Sequence, residues 1–278
     1  MLRCDSYGQV IRLDLARTLA GQGRYWTTCY WVEGVLIDTG CAHTARELVE
    51  FLKDRPLHGI INTHSHEDHI GGNGPMQRGQ PGLSIQAHPL ALPVLANPGA
   101  EQPLHPYRRL FWGWPRPSTA QPLQDGQWIE SGGLRFRVLY TPGHSIDHLC
   151  LFEENHGWLF SGDLFVGGRD RALRHGCDIW AIIASLERVL ALPVSVLFPG
   201  SARVRENPSQ EIRSKIEYYR QLGERIADYH RKGWQPEAIV RAVCGGPMWV
   251  EYVTLGHFAR KWLVHSYLNA PSQNVIQD

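Results

Sequence analysis

The chain has no apolar run approaching the ~20 residues that cross a bilayer, and no apolar signal core follows Met1-Leu2-Arg3-Cys4-Asp5. An excess of one charge is also missing: 28 Lys and Arg balance 27 Asp and Glu, leaving a formal +1. Nothing global therefore draws the protein to nucleic acid or to an anionic membrane. No Cys-x-x-Cys occurs among the six cysteines, Cys4, Cys29, Cys41, Cys150, Cys177 and Cys244. A chain of 278 residues buries enough surface to do without disulfides, so these read as thiols in a reducing, cytoplasmic setting. Internal repeats and low-complexity tracts are absent, which sets solenoids and arrays aside. With 43% hydrophobic and 20% charged residues, a packed core is expected and wholesale disorder is excluded. Fourteen histidines and ten tryptophans stand out, and several of the histidines sit at fixed offsets.

The N-terminal third reads as short strands over 9–15, 27–32 and 35–38, with Gly34 turning the second into the third and Gly40 ending it. Thr44-Ala45-Arg46-Glu47 has the form of a capping box ahead of a helix whose face carries Ala45, Leu48, Val49 and Leu52. A buried strand over 59–62 follows, then another over 83–87. The stretch 89–122 is Pro-rich with little periodicity and reads as a long loop, a binding element or lid. There Arg108, Arg109, Trp112, Trp114 and Arg116 either line an entrance or pack on the tail. Strands are expected over 134–140, 149–152, 158–160 and 194–198, with Asp178 capping a helix that runs to Leu190. From Asn207 the pattern turns helical: Asn207 as cap, Pro208 first in the helix, Gly233 as its stop, then helices over 235–244 and 249–268. The layout is a strand-rich α/β domain over 1–207 and a helical domain over 208–278.

His64-Ser65-His66-Glu67-Asp68-His69 is the strongest chemical signal. In extended chain, residues i and i+2 face the same way, so His64 and His66 can grip one ion together. Asp68 and His69 are adjacent and point apart, which suits a second ion close to the first. Nitrogen and carboxylate donors of this kind suit Zn²⁺, or Fe and Mn where carboxylates dominate. Three histidines at these offsets arise by chance in about 0.03 chains of this length, so a solvated histidine-rich turn is the weaker account.

This motif follows a strand and is followed by Gly71-Gly72-Asn73. Leu36-Ile37-Asp38-Thr39-Gly40 precedes it; Thr141-Pro142-Gly143-His144 and Phe160-Ser161-Gly162-Asp163 come after. In that order the pieces resemble the metallo-β-lactamase superfamily over about residues 25–207. The resemblance implies an αββα sandwich followed by a small helical domain. Carried over residue by residue, it implies His64, His66 and His144 as ligands of a first ion. It implies Asp68, His69 and Asp163 for a second, with Asp163 bridging both, so that Asp68 and Asp163 stand at the catalytic centre. Such ions acidify water, and the hydroxide attacks an acyl carbon or phosphorus. Asp38 is either a strand-end turn or, by the resemblance, a residue that orients a ligand histidine.

One departure matters. The superfamily usually closes the second site with a histidine in a Pro-Gly-His segment, and here Phe198-Pro199-Gly200-Ser201 places Ser201 there. A neutral hydroxyl is a poor zinc ligand. Three outcomes stay open: a second ion held by Asp68, His69 and Asp163 with water, a substitute such as His175, or a single ion. The expected function is metal-dependent hydrolysis of an ester, thioester or lactone on a small or medium substrate. The alternatives are a mononuclear iron oxygenase acting on a thiol or persulfide, a metal-dependent phosphodiesterase or ribonuclease, and a non-catalytic binding protein. Nine Lys and Arg against seven Asp and Glu over 208–278 give no basic track, which disfavours RNA. The expected partner is a small molecule and not a membrane; some members of this fold dimerise, so a homodimer is carried as an option.

Overall fold

The computed structural model describes residues 1–102 and 105–269. The described chain divides into two compact units. The first comprises Met1–Tyr140, Asp147–Val166 and Ser195–Glu206; the second comprises Thr141–Ile146, Gly167–Val194 and everything described from 207 onward.

The first unit holds two sheets. One has seven strands in chain order: Leu2–Tyr7, Val10–Leu19, Gln22–Val32, Val35–Ile37, Gly59–Ile61, Ser84–Ala87 and Gln121–Pro122. Its first four strands pair antiparallel and its last four pair parallel. The other has six strands, Trp128–Ser131, Leu134–Tyr140, Leu149–Glu153, Trp158–Gly162, Val196–Pro199 and Arg205–Glu206. Within it, Trp158–Gly162 and Val196–Pro199 run parallel, with a bulge between Phe160 and Gly162.

Side chains of a strand alternate between faces, and here both faces are buried. Tyr30 and Val32, Val35 and Ile37, and Ile61 pack against Phe136, Val138, Leu151, Phe160 and Phe198 of the six-stranded sheet. Their neighbours Cys29, Leu36 and Ile60 face the other way, onto Leu48, Leu52, Met76 and Leu95 of the covering helices. That two-sided burial explains why the central strands read as continuous apolar runs. A hydrogen bond from Tyr30 Oη to the Pro199 carbonyl, 2.6 Å, ties the two sheets together beside the site.

Several expectations need correction. Leu2–Tyr7 is an edge strand with one residue half-buried and five exposed, so it lacked the alternation that marks a strand. Thr44 precedes the helix Ala45–Leu52 but its hydroxyl donates to the Cys41 carbonyl at 3.1 Å and caps nothing. The stretch 89–122 is not a structureless loop: it carries the helices Leu92–Ala96, Pro98–Glu101 and Pro106–Phe111. Each is under two turns and has Pro as its first or second residue, so the 3.6-residue period never becomes visible.

In the second unit, Asp178 Oδ1 accepts from the amides of Trp180 and Ala181 at 2.9 and 3.1 Å, capping Ile179–Leu190 as expected. The long helix is Ser209–Arg231; Asn207 is not its cap but lies at φ +48 ahead of it. The expected helix over 249–268 is broken into Trp249–Val253, a strand Phe258–Ala259 and Arg260–Leu268. Leu255 and Gly256 at φ +52 and +77 break the helix there, and Phe258–Ala259 pairs with Leu173–Arg174. No described helix is long and apolar enough to cross a membrane.

Candidate metal centre

The expected site residues of the first unit sit just past the carboxyl ends of strands. Asp38 follows Val35–Ile37, the His64–His69 run follows Gly59–Ile61, and Asp163 follows Trp158–Gly162. The first two of these strands are parallel neighbours, which sets their exits side by side. Loops at such ends are where α/β folds build sites.

The loop is locked from several sides. The amides of His69 and Ile70 donate to the His66 carbonyl at 2.9 and 3.2 Å, coiling the loop back on itself. Ser65 donates its amide to Asp147 Oδ2 at 2.9 Å, and the Gln102 amide nitrogen donates to the Ser65 carbonyl. Thr39 Oγ1 donates to Asn73 Oδ1 at 2.9 Å, and Asn73 Nδ2 to Asn62 Oδ1 at 2.7 Å. Gly71 is required: a Cβ there would lie 2.2 Å from the Ala42 nitrogen.

The imidazoles gather. His64 Nε2 and His66 Nδ1 lie 2.9 Å apart, within reach of one ion at ~2.0–2.1 Å from each. A ligand atom each from His64, His69 and Asp163 falls within a mutual 4.8 Å. His69 decides the fit. Its Nδ1 donates to Asp38 Oδ2 at 2.7 Å, which leaves Nε2 as the ring atom facing the site. Nε2 is buried with no hydrogen-bond partner and faces Asp163 Oδ2 at 3.6 Å and Asp68 Oδ2 at 3.8 Å. Two donors on one tetrahedral ion stand roughly 3.4 Å apart, so this spacing suits a shared cation better than a hydrogen bond.

The electrostatics agree. Burial pushes the Asp68 carboxyl up to about 6, with Glu67 and Asp163 adding to the rise and His69 opposing it. Burial would lower His69, but the carboxylates of Asp38, Asp163 and Asp68 hold it well above the ordinary imidazole value. Three carboxylates around one imidazole call for added positive charge. His148 is buried and pushed down to about 4, chiefly by desolvation; its Nε2 accepts from the Asp163 amide at 3.1 Å. His148 is therefore a neutral support for Asp163.

Asp38 orients a ligand histidine and is no mere turn. Besides His69 it accepts from the Thr63 amide and hydroxyl, both at 2.7 Å. The spacing did not foretell the partner of Glu67. Both its oxygens accept from Arg108, and the two side chains are 1% and 4% exposed. Arg108 thus does not line an entrance. Local sequence carries no signal for this pair, whose members stand 41 residues apart.

His144 lies on Thr141–Ile146, in the second unit, where Cys177 Sγ donates to its carbonyl at 3.2 Å. His175, weighed as a substitute ligand, is also in the second unit and packs edge-on against Trp262 at 4.4 Å. His88 stacks on Tyr140 at 4.4 Å and accepts from the Leu90 amide, a structural role. Gly200, beside Ser201, brings bare backbone against the site: a Cβ there would lie 2.6 Å from Asp163 Oδ1 and 2.8 Å from His69 Cε1.

The family model of the metallo-beta-lactamase superfamily matches residues 26–201, more than half of the chain. The chain belongs to the metallo-beta-lactamase superfamily. A metallo-beta-lactamase family protein of Thermus thermophilus, TTHA1429, has the same fold at a TM-score of 0.67 and 21% identity, covering 94% of this chain and 91% of that one. Thioesterase pkgB of Emericella nidulans is 27% identical over 186 residues, 64% of this chain and 45% of its own length. A hydroxyacylglutathione hydrolase of Photobacterium profundum is 32% identical over 160 residues, 57% of this chain and 52% of its own length. The chain thus spans about half the length of these curated superfamily relatives. The superfamily fold implies a divalent metal, and the histidines here are positioned to hold one.

Proposed function

We propose that this protein is a metal-dependent hydrolase that cleaves an ester, thioester or lactone, with a thioester favoured. The observation that carries the reading is the orphaned, buried Nε2 of His69, aimed at the carboxylates of Asp68 and Asp163 and fixed from behind by Asp38. The names of the thioesterase and hydroxyacylglutathione hydrolase relatives support an acyl substrate.

In this reading His64, His66 and His144 hold a first ion, with His144 carried over from the family motif. Asp68, His69 and Asp163 would hold a second. Zn²⁺ suits the all-imidazole set; the carboxylate-rich second set also suits Fe or Mn. Ions bound there would polarise the acyl carbonyl oxygen as Lewis acids and lower the pKa of water from 15.7 to about 7. The chain's own part is to hold the donors in place. Asp38 keeps the His69 proton on Nδ1, leaving Nε2 as a donor atom. His148, neutral, accepts a hydrogen bond from the Asp163 amide and so sets the backbone that carries this carboxylate. A cytoplasmic setting belongs to the same reading, since none of the six cysteines forms a disulfide.

The test is a panel of acyl thioesters, esters, lactones and phosphodiesters assayed with metal-stripped protein before and after adding Zn²⁺, Fe²⁺ or Mn²⁺. Turnover restored on the acyl substrates supports the reading. Oxygen uptake on a thiol with iron, or turnover confined to phosphodiesters, would displace it.

A further inference from the structure

We propose that Arg108 is a positioning residue for the metal centre: through its buried fork on Glu67 it fixes the backbone that carries Asp68 and so sets the affinity for the second ion. This rests on the two-ion reading above.

Glu67 lies between two proposed ligands, His66 and Asp68. Its Oε1 accepts from Arg108 Nε and its Oε2 from Arg108 Nη2. A two-point fork fixes direction as well as distance, which a single ammonium contact does not. Arg108 sits on the helix Pro106–Phe111, and that helix is itself anchored. Arg17 Nη1 donates to the Leu110 carbonyl, the His43 amide donates to the Trp112 carbonyl at 3.4 Å, and the Tyr25 ring lies 3.9 Å from that of Phe111. Gln102, a few residues earlier, holds the Ser65 carbonyl. The stretch read as a lid is therefore a brace behind the ligand loop.

Stability does not account for such a pair. Burying two charges costs desolvation that their attraction barely offsets, and apolar replacements of similar volume often fold as well. Orientation does account for it. Ser201 offers the second ion no imidazole, so that ion depends on Asp68, His69 and Asp163. The side chain of His69 is 1% exposed and tied to Asp38, whereas that of Asp68 is 18% exposed. Among the described residues, no hydrogen bond of the kind that ties His69 to Asp38 holds the Asp68 carboxylate; the fixed residue before it is Glu67. Occupying both Glu67 oxygens also keeps that carboxylate from taking an ion itself.

The test titrates metal-stripped full chain with Co²⁺, reading visible absorption for each environment and elemental analysis for stoichiometry. Wild type is expected to take two equivalents. The double variant Glu67→Gln with Arg108→Met removes both charges together, so it avoids leaving one buried and unpaired. It should weaken the second equivalent by roughly ten- to a hundredfold and leave the first within about twofold. Arg108→Lys, which keeps charge but loses the fork, should fall between. One equivalent in wild type would overturn the two-ion reading and this proposal with it. Two equivalents in wild type with the double variant unchanged, or with both equivalents weakened alike, would overturn the role of Arg108 alone.

Discussion

Replacing Asp38 with Asn perturbs the site from behind without touching a ligand. Asp38 sits at φ +60, a region that Asn tolerates as well as Asp, so the change removes charge and leaves the backbone alone. The carboxylate accepts from three donors: the Thr63 amide on Oδ1, and the Thr63 hydroxyl and His69 Nδ1 on Oδ2, each at 2.7 Å. An amide offers one acceptor and one donor. With its oxygen kept on the Thr63 amide, its nitrogen meets the Thr63 hydroxyl, which can rotate, and His69 Nδ1–H, which has nothing to accept with. The imidazole must give up that bond or move its proton to Nε2, and Nε2 is the atom aimed at Asp68 and Asp163. Losing a partner of this kind typically costs 10–100-fold in metal affinity, about 1.4–2.8 kcal/mol. Losing one charge-assisted hydrogen bond separately costs the metal-free fold about 1.5–3 kcal/mol. Chelator competition gives the first quantity and urea unfolding of stripped protein the second. Metal affinity within about twofold of wild type, in a variant with a native spectrum, would refute the orienting role.

Gly200→Ala should lower metal affinity while the fold persists, because its Cβ would press on Asp163 Oδ1 and His69 Cε1; the same chelator competition checks it, and an unchanged affinity contradicts it. Ser201→His, which restores the family's usual donor, should tighten the second ion and so raise the metal content of protein purified without added metal toward two ions per chain; an unaltered ratio by elemental analysis would show that Ser201 was not the gap. Burial holds His88 below the ordinary imidazole value, and its Nδ1 accepts from Leu90. The neutral form is therefore the native one: its contribution is full above the unfolded value of ~6.5 and is lost as pH falls through the folded value. An NMR titration of His88 with a midpoint at or above ~6.5 would contradict that sign.

The parts that were legible in the sequence are those whose signal is local. The apolar runs at 27–32 and 35–38, punctuated by glycine, mark strands buried on both faces, and the His64–His69 spacing marks a ligand loop, because backbone geometry alone aims those side chains. Asp178 announced its cap for the same reason: its partners are two and three residues away. What stayed hidden depends on chain that is distant in sequence. Ser65 meets Asp147 across 82 residues and Glu67 meets Arg108 across 41, and neither partner carries a mark of its role. Arg108 in a Pro-rich, aromatic stretch reads as lining an entrance or packing on the tail, because nothing nearby shows that its charge is already satisfied. The break over 254–259 escaped notice because the side-chain period continues through it, while the turn is made by Leu255 and Gly256 in the left-handed region.

The most direct measurement is the metal content of the protein purified without added metal, beside that of a variant with His64→Ala and His69→Ala together. The account predicts at least about one bound divalent ion per wild-type chain and a near-complete loss in the variant, with the fold retained by circular dichroism. Equal metal content in the two, or a wild type that binds none even when metal is supplied, would contradict it.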